Sequence, residues 1–203
     1  MEIERIQFLP KTLAQNCWIL REKNAAIVID PGCNAERILE ILRNREKIGA
    51  ILLTHHHSDH IRGVAKLVAE TNAPVFIHPA DAEVVKNGWR TVGKIRKTKN
   101  PVGIPTRAIA DGEILRFGKF EVEIIHTPGH TRGSVCFRIG GKIFSGDTLF
   151  RENVGRTDLA GGDAAELKMS LRKLLELPDE TIVHPGHEES WTIGEARKFD
   201  FLF

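Results

Sequence analysis

Cysteine is scarce and scattered. Cys17, Cys33 and Cys136 form no CxxC pair and no disulfide framework. That usage fits a reducing compartment and reads each thiol as a small core residue. Long apolar runs are missing too. Stretches such as Ala25–Ile29 and Ala50–Leu53 fall far short of the roughly 18 residues of a membrane span. The N-terminal MEIERIQFLP carries two acids and no apolar core, so it does not read as a signal peptide, and a cytoplasmic location is expected. Neither sign of charge dominates. Lys+Arg number 29 and Asp+Glu 27, a net charge of +2, which argues against a dedicated nucleic-acid binder and its basic face. Low-complexity linkers are also absent, so the 203 residues read as one domain over 1–203, against a typical size of roughly 150.

Hydrophobic residues make up 41 % and charged residues 28 %, a globular balance. Short β-type runs are expected at Arg5–Phe8, Cys17–Leu20 and Ala25–Asp30, after which Asp30-Pro31-Gly32 breaks the sheet. Ala35–Arg45 has the spacing of an amphipathic helix through Ile38, Leu39, Ile41 and Leu42. Ala50–Thr54 is continuously apolar, as a strand buried on both faces would be. Gly63–Glu70 is helix-like, Pro74–His78 strand-like and Ala80–Lys86 helix-like, while Trp89–Pro105 reads as a long basic loop. Two hairpins follow, Ile114–Phe117 with Phe120–Ile125 and Val135–Ile139 with Lys142–Ser145, each turning at a glycine. Ala164–Leu177 is a helix, Thr181–His184 a last short strand, and Ile193–Phe199 a terminal helix. Strands and helices alternate in layers, an α/β mixture.

Nine histidines are present, and four fall within His55-His56-His57-Ser58-Asp59-His60, directly after an apolar strand. In extended backbone His55 and His57 share a side and His56 takes the other, so two imidazoles converge on one ion. Asp59 and His60 are placed to serve a second ion. Imidazole with carboxylate suits Zn, Fe or Mn, and the lack of cysteine beside them argues against a structural zinc finger. The remote partners expected are His130, Asp147 and His187, each beside a glycine after a strand-like run. Glycine lets the backbone turn tightly into a crowded centre. Asp147 can bridge two cations, one per oxygen. His56 is expected to face away. His78, His126 and His184 read as structural, with supporting roles open. Asp30 reads as either a partner for a ligating imidazole or a simple turn cap. Lys94, Arg96, Lys97 and Lys99 read as a solvated loop or an attractor of anionic substrate.

His55-x-His57-x-Asp59-His60, then Thr127-Pro128-Gly129-His130-Thr131, then Gly146-Asp147-Thr148-Leu149-Phe150, then Pro185-Gly186-His187 together resemble the metallo-β-lactamase superfamily. The match covers about residues 10–195. Gly155-Arg156-Thr157-Asp158-Leu159 and Gly161-Gly162-Asp163 resemble the glyoxalase II-like hydrolases within it, especially their short forms. The resemblance implies a four-layer αβ/βα sandwich with its site at one edge between two sheets. It implies one metal held by His55, His57 and His130, a second held by Asp59, His60 and His187, and Asp147 bridging them. Two divalent ions are expected, zinc foremost, with iron or manganese also compatible. Such a pair, about 3.5–4 Å apart, can share and acidify a water for attack on a carbonyl, with Asp59 orienting the nucleophile. The substrate implied is a small-molecule thioester such as S-lactoylglutathione, whose thiolate leaves without a strong acid.

Arg156 matches the basic residue with which glyoxalase II binds the glutathione carboxylate; pairing with Asp158 or Asp163 is the alternative. The chain departs from that family at Thr157 and Asp158, where aromatics are usual, and at Glu188, where glycine is usual. Only 16 residues follow His187, too few for the family's C-terminal helical domain. A mononuclear iron persulfide dioxygenase on the same scaffold is the competing expectation. Nuclease and β-lactamase roles are disfavoured by the charge balance and by the N-terminal sequence.

Overall fold

A computed structural model describes residues 1–8, 14–32, 35–42, 47–87 and 104–201. The first half runs β1 (Glu2–Phe8), β2 (Gln15–Glu22), β3 (Ala25–Ile29), α1 (Ala35–Leu42), β4 (Lys47–Leu52), α2 (Ser58–Ile61), α3 (Val64–Thr71), β5 (Val75–Ile77), α4 (Pro79–Asn87) and β6 (Thr106–Ala108). The second half runs β7 (Ile114–Phe117), β8 (Phe120–His126), β9 (Val135–Ile139), β10 (Lys142–Gly146), α5 (Ala164–Leu175), β11 (Ile182–Pro185), β12 (Trp191–Thr192) and α6 (Ile193–Ala196). Each half contributes one mixed six-stranded sheet, ordered β1-β2-β3-β4-β5-β6 and β12-β11-β10-β9-β8-β7.

The side chains of each strand alternate between two separate cores, because successive residues point to opposite faces. In β2, Trp18 and Leu20 face the second sheet while Cys17 and Ile19 face outward to helices; in β3, Ile27 and Ile29 oppose Ala26 and Val28 in the same way. From the other side, Phe120, Val122, Ile124, Val135, Phe137 and Phe144 fill the inter-sheet core. Ala35, Ile38 and Leu42 of α1, with Val64 and Leu67 of α3, cover the outer face of the first sheet. Leu167, Leu171 and Leu174 of α5, with Ile193 and Ala196 of α6, cover that of the second. The layers are therefore helix, sheet, sheet, helix, the metallo-β-lactamase type of sandwich. Double coverage explains the continuous apolar runs: a strand with no wet face has no polar positions.

Local chemistry sets the element ends. Gly140 and Gly141, both left-handed at φ 54 and 76, make the tight β9–β10 turn that a type I′ hairpin requires. Asp163 caps α5, accepting from Ala165 N at 2.8 Å and Glu166 N at 3.0 Å. Cys17 and Cys136 are buried, and burial pushes the Cys136 pKa to about 11. Cys33 and the basic residues 94–99 lie outside the described residues. Among the described residues, no helix is long and apolar enough to cross a membrane.

Several expected bounds shift. The first helix is described over Ala35–Leu42, its expected continuation to Arg45 lying outside the described residues, and the last spans only Ile193–Ala196. β4 begins at Lys47, which pairs with Ala25. Three short elements escape periodicity altogether: α2 is polar, while β6 and β12 are too short to show a repeat and exist because neighbours pair with them, Val75 with Thr106 and Val183 with Trp191.

Phe137 is fully buried between the sheets. Phe137→Ala is expected to destabilise the protein by about 3–5 kcal/mol, read as a lower urea midpoint at unchanged slope.

Candidate metal centre

Four chain segments end at the same edge of the sandwich. The segment after β4 carries His55 to His60, the β8–β9 loop carries His130, the end of β10 carries Asp147 and the end of β11 carries His187. Hydrogen bonds between the two sheets stitch this edge together. Val135 N donates to Thr54 O at 2.9 Å and Asn16 N to Gly186 O at 2.7 Å. Trp18 Nε1 and Asn16 Nδ2 both donate to Pro185 O, at 3.1 and 3.0 Å. Gly186 is required here, since a Cβ would collide with Asp147 Oδ1 and the His60 ring.

The seven expected ligands all converge. His130 Nε2 lies 2.8 Å from His57 Nδ1, and these two with His55 and Asp147 place their ligand atoms within 4.8 Å of one another. Asp59, His60 and His187 form a second such group. Asp147 stands between them: its Oδ2 is 3.5 Å from His130 Nε2, 3.9 Å from His55 Nε2 and 3.6 Å from His187 Nε2, and its Oδ1 is 3.2 Å from His60 Nε2. Four buried atoms at this point have no hydrogen-bond partner among the described residues: Nε2 of His55, His60 and His187, and Oδ1 of Asp147. Buried polar atoms are normally satisfied. Lone pairs left unmatched and aimed at one place, from imidazoles and carboxylates, fit divalent cations.

The far nitrogens of four rings are held. His60 Nδ1 meets Asp30 Oδ2 at 2.9 Å, His130 Nδ1 meets Arg156 O at 2.8 Å and His187 Nδ1 meets Ala14 O at 3.1 Å. Such acceptors place the proton on Nδ1 and leave the Nε2 lone pair for a metal. His55 Nδ1 is 3.0 Å from Thr54 Oγ1, which itself donates to Asp30 Oδ2 at 2.6 Å. Asp30 Oδ1 accepts from Thr54 N at 2.8 Å. The Asp30 carboxylate is thus consumed in orienting His55 and His60, the supporting role rather than the turn cap alone.

Charge follows environment. Burial, then His60, His57 and His130, push the His55 pKa well below the usual imidazole range. Burial and His130 bring His57 to about 3. Both rings stay neutral and available as ligands. Burial opposes ionisation of Asp147 and Asp59, but His60 and His187, joined at Asp147 by His130, together outweigh it, holding Asp147 well below the carboxylate range and Asp59 at about 2.

The remaining histidines stand apart. His56 turns away, its Nδ1 2.8 Å from Asp81 Oδ2. His78 stacks on His126 with ring centroids 4.2 Å apart. His184 packs on Trp18 and Phe144 and reaches Ser190 Oγ at 2.8 Å. Asp81, from α4, is a residue that sequence reasoning missed. Its buried carboxylate accepts from His56 N at 3.0 Å, Thr131 Oγ1 at 2.8 Å and Gly133 N at 2.8 Å. It therefore clamps the His55–His60 segment to the His130 loop. No motif marks it, because its partners lie 25 to 52 positions away.

A cavity of about 500 Å³ opens over the cluster, walled by Phe150, Asn153, Arg156, Leu159, Gln7 and Glu188 as well as His57, Asp59, His130, Asp147 and His187. Arg156 is on this wall, its guanidinium paired with Asp158 at 2.7 and 2.6 Å.

The family model for the metallo-beta-lactamase superfamily matches residues 10–187. An uncharacterized protein of Mycobacterium tuberculosis is 40 % identical over 212 residues, covering 93 % of this chain and 92 % of that one. Hydroxyacylglutathione hydrolase GloC of Haemophilus influenzae is 35 % identical over 202 residues, covering 95 % of each. Among solved structures, BLEG-1 B3 metallo-beta-lactamase matches at a TM-score of 0.88 and 32 % identity over 99 % of both chains. TTHA1623 in a di-iron-bound form matches at 0.82 and 37 %, over 98 % of this chain and 100 % of that one.

Asp30→Asn keeps the size and tolerates the left-handed backbone at this position (φ 49), yet removes one acceptor from the His60 and Thr54 hydrogen bonds. Metal affinity is expected to fall about 10–100-fold in competition with a chromogenic chelator. Affinity within threefold of the unsubstituted protein would count against the supporting role.

Proposed function

Because this chain belongs to the metallo-β-lactamase superfamily, and because Asp147 lies between two histidine groups with unmatched lone pairs, we propose that it is a dinuclear metal hydrolase acting on small-molecule thioesters. His55, His57 and His130 are proposed to hold one ion, Asp59, His60 and His187 the other, and Asp147 both. Zinc suits the donor set, and iron or manganese is compatible. When bound, such ions supply Lewis acidity, lowering the pKa of water and polarising a carbonyl oxygen. Asp147 is the observation that carries this reading, since it is within 4 Å of a nitrogen from each group.

The chain's own groups divide the remaining tasks. Asp59, partly open to the cavity and ionised, accepts a hydrogen bond from the attacking water and aims its lone pair at the thioester carbon. Phe150 and Leu159 line the cavity with apolar surface and limit bulk water around the reacting carbonyl. The departing thiolate needs no acid stronger than water, which agrees with a cavity in which the acids are ligands or lie at the rim. Arg156, already held by Asp158, is proposed to contact the carrier portion of the substrate. The full chain 1–203 is proposed to act as one domain in the cytoplasm, without a nucleic-acid or membrane partner. The relative from Haemophilus influenzae, a hydroxyacylglutathione hydrolase, supports thioester cleavage over β-lactam cleavage.

Metal analysis of the purified chain, paired with hydrolysis assays on S-lactoylglutathione, a simple acyl thioester and nitrocefin, tests the reading. About two ions per chain and thiol release that stops on chelation are expected. One iron with oxygen consumption on glutathione persulfide would select the persulfide dioxygenase instead. Asp147→Ala is expected to lose metal and nearly all turnover, well beyond the roughly 10–100-fold effect of a lost supporting contact. A metal-loaded, fully active Asp147→Ala protein would overturn the assignment.

A further inference from the structure

The charged groups on the cavity wall are unequally committed. The histidines, Asp59 and Asp147 face the metal cluster. Arg156 contributes little net charge, because Asp158 engages its guanidinium through two hydrogen bonds at 2.7 and 2.6 Å. Glu188 is different. It follows His187 directly and lines the same cavity, and no cationic side chain among the described residues forms an ion pair with it. Its sequence neighbour His187 and a second acid, Glu152, both lie close enough to act on it electrostatically, with opposite signs.

The position of Glu188 is tightly determined. Its backbone is left-handed, φ 67, a conformation that disfavours any residue with a Cβ. Asn16 Nδ2 donates to its carbonyl at 2.8 Å and Arg5 Nη1 donates to the same oxygen at 3.3 Å. Arg5 is in turn held by Glu189 at 2.7 and 3.0 Å. The Arg151 N–H donates to the Glu188 carboxylate. Backbone and side chain are both anchored, so the negative charge stays at the cavity rim.

A carrier whose thioester end reaches the metal cluster must run out past this rim. A fixed charge in a cleft acts on such a tail through a field that low-dielectric walls concentrate. We propose that Glu188 sets the charge selectivity of the cavity: favoured thioesters carry an uncharged or cationic thiol carrier, and carriers bearing carboxylates are disfavoured. The inference rests on the thioester reading above and narrows its substrate class. Like-charge exclusion is an established way to build specificity. At a partly wet rim, one such charge is worth about fivefold.

Three acetyl thioesters that differ only in carrier test this on the metal-loaded full chain: acetylthiocholine, S-acetyl-N-acetylcysteamine and S-acetylglutathione. The kcat/KM for S-acetylglutathione is expected to be at least about fivefold below that for the neutral thioester, with the difference in KM. Glu188→Gln should narrow that ratio to within about twofold, and added salt should narrow it in the unsubstituted protein but not in the variant. A ratio that Glu188→Gln leaves unchanged overturns the proposal. If none of the three is cleaved, the thioester reading itself falls, and binding of S-methylglutathione decides the role of Glu188. Binding at least about threefold tighter to Glu188→Gln would retain it; equal or absent binding in both proteins would overturn it.

Discussion

Crowding imidazoles and carboxylates into a buried seam between two sheets is the constraint to which the rest of this molecule answers. Desolvation opposes every charge placed there, and neighbouring imidazoles repel one another if protonated. The result is a division of labour by environment. His55 and His57, deep among other rings, are driven toward the neutral form, while Asp147 and Asp59 are kept ionised by the imidazoles around them, His60 foremost and His187 with it. Neutral nitrogens and ionised oxygens are the forms in which these groups bind cations. His55 and His57 are thereby prepared as neutral donors, whereas at His60 and His187 the surrounding carboxylates together outweigh burial and raise the pKa, so a cation binding there displaces protons.

Holding that cluster requires support from residues that never reach it. Asp30 and Thr54 orient two rings from behind, and Asp81 ties the first histidine segment to the His130 loop. The two sheets contribute unequally. The first supplies His55 to His60 on the segment after β4, and the second supplies His130, Asp147 and His187. Bonds such as Val135 N to Thr54 O and Asn16 N to Gly186 O tie the two sheets at the edge where those segments meet. Placing a site on rigid strand ends in this way limits the drift that a loop-borne site would suffer.

The wall of the cavity follows a different logic from its floor. On the floor every charge has a counterpart or faces the cation-binding groups. On the wall Arg156 is neutralised locally by Asp158, and Glu188 is fixed by Asn16, Arg5 and Arg151. A strained backbone kept in place by several contacts is the pattern expected where function rather than stability selects the residue.

Much of this was readable from the chain alone. The run His55 to His60 after an apolar strand, and glycine beside His130, Asp147 and His187, announce a metal site because the donor types and the turn chemistry are local properties. Apolar runs in β3 and β4 announce double coverage for the same reason. Asp30 was visible as a candidate partner but not as the residue that holds both His55 and His60. Asp81, β6, β12 and the pairing of Arg156 with Asp158 rather than Asp163 were not fixed by spacing. Residue types and their short-range order determined what chemistry the chain carries and which segments form strands. Only the tertiary structure decided which donor groups lie together, which ring nitrogens are held from behind and which wall charges are paired. Those outcomes depend on contacts between residues dozens of positions apart, and pairwise distance across a fold is not encoded in local periodicity.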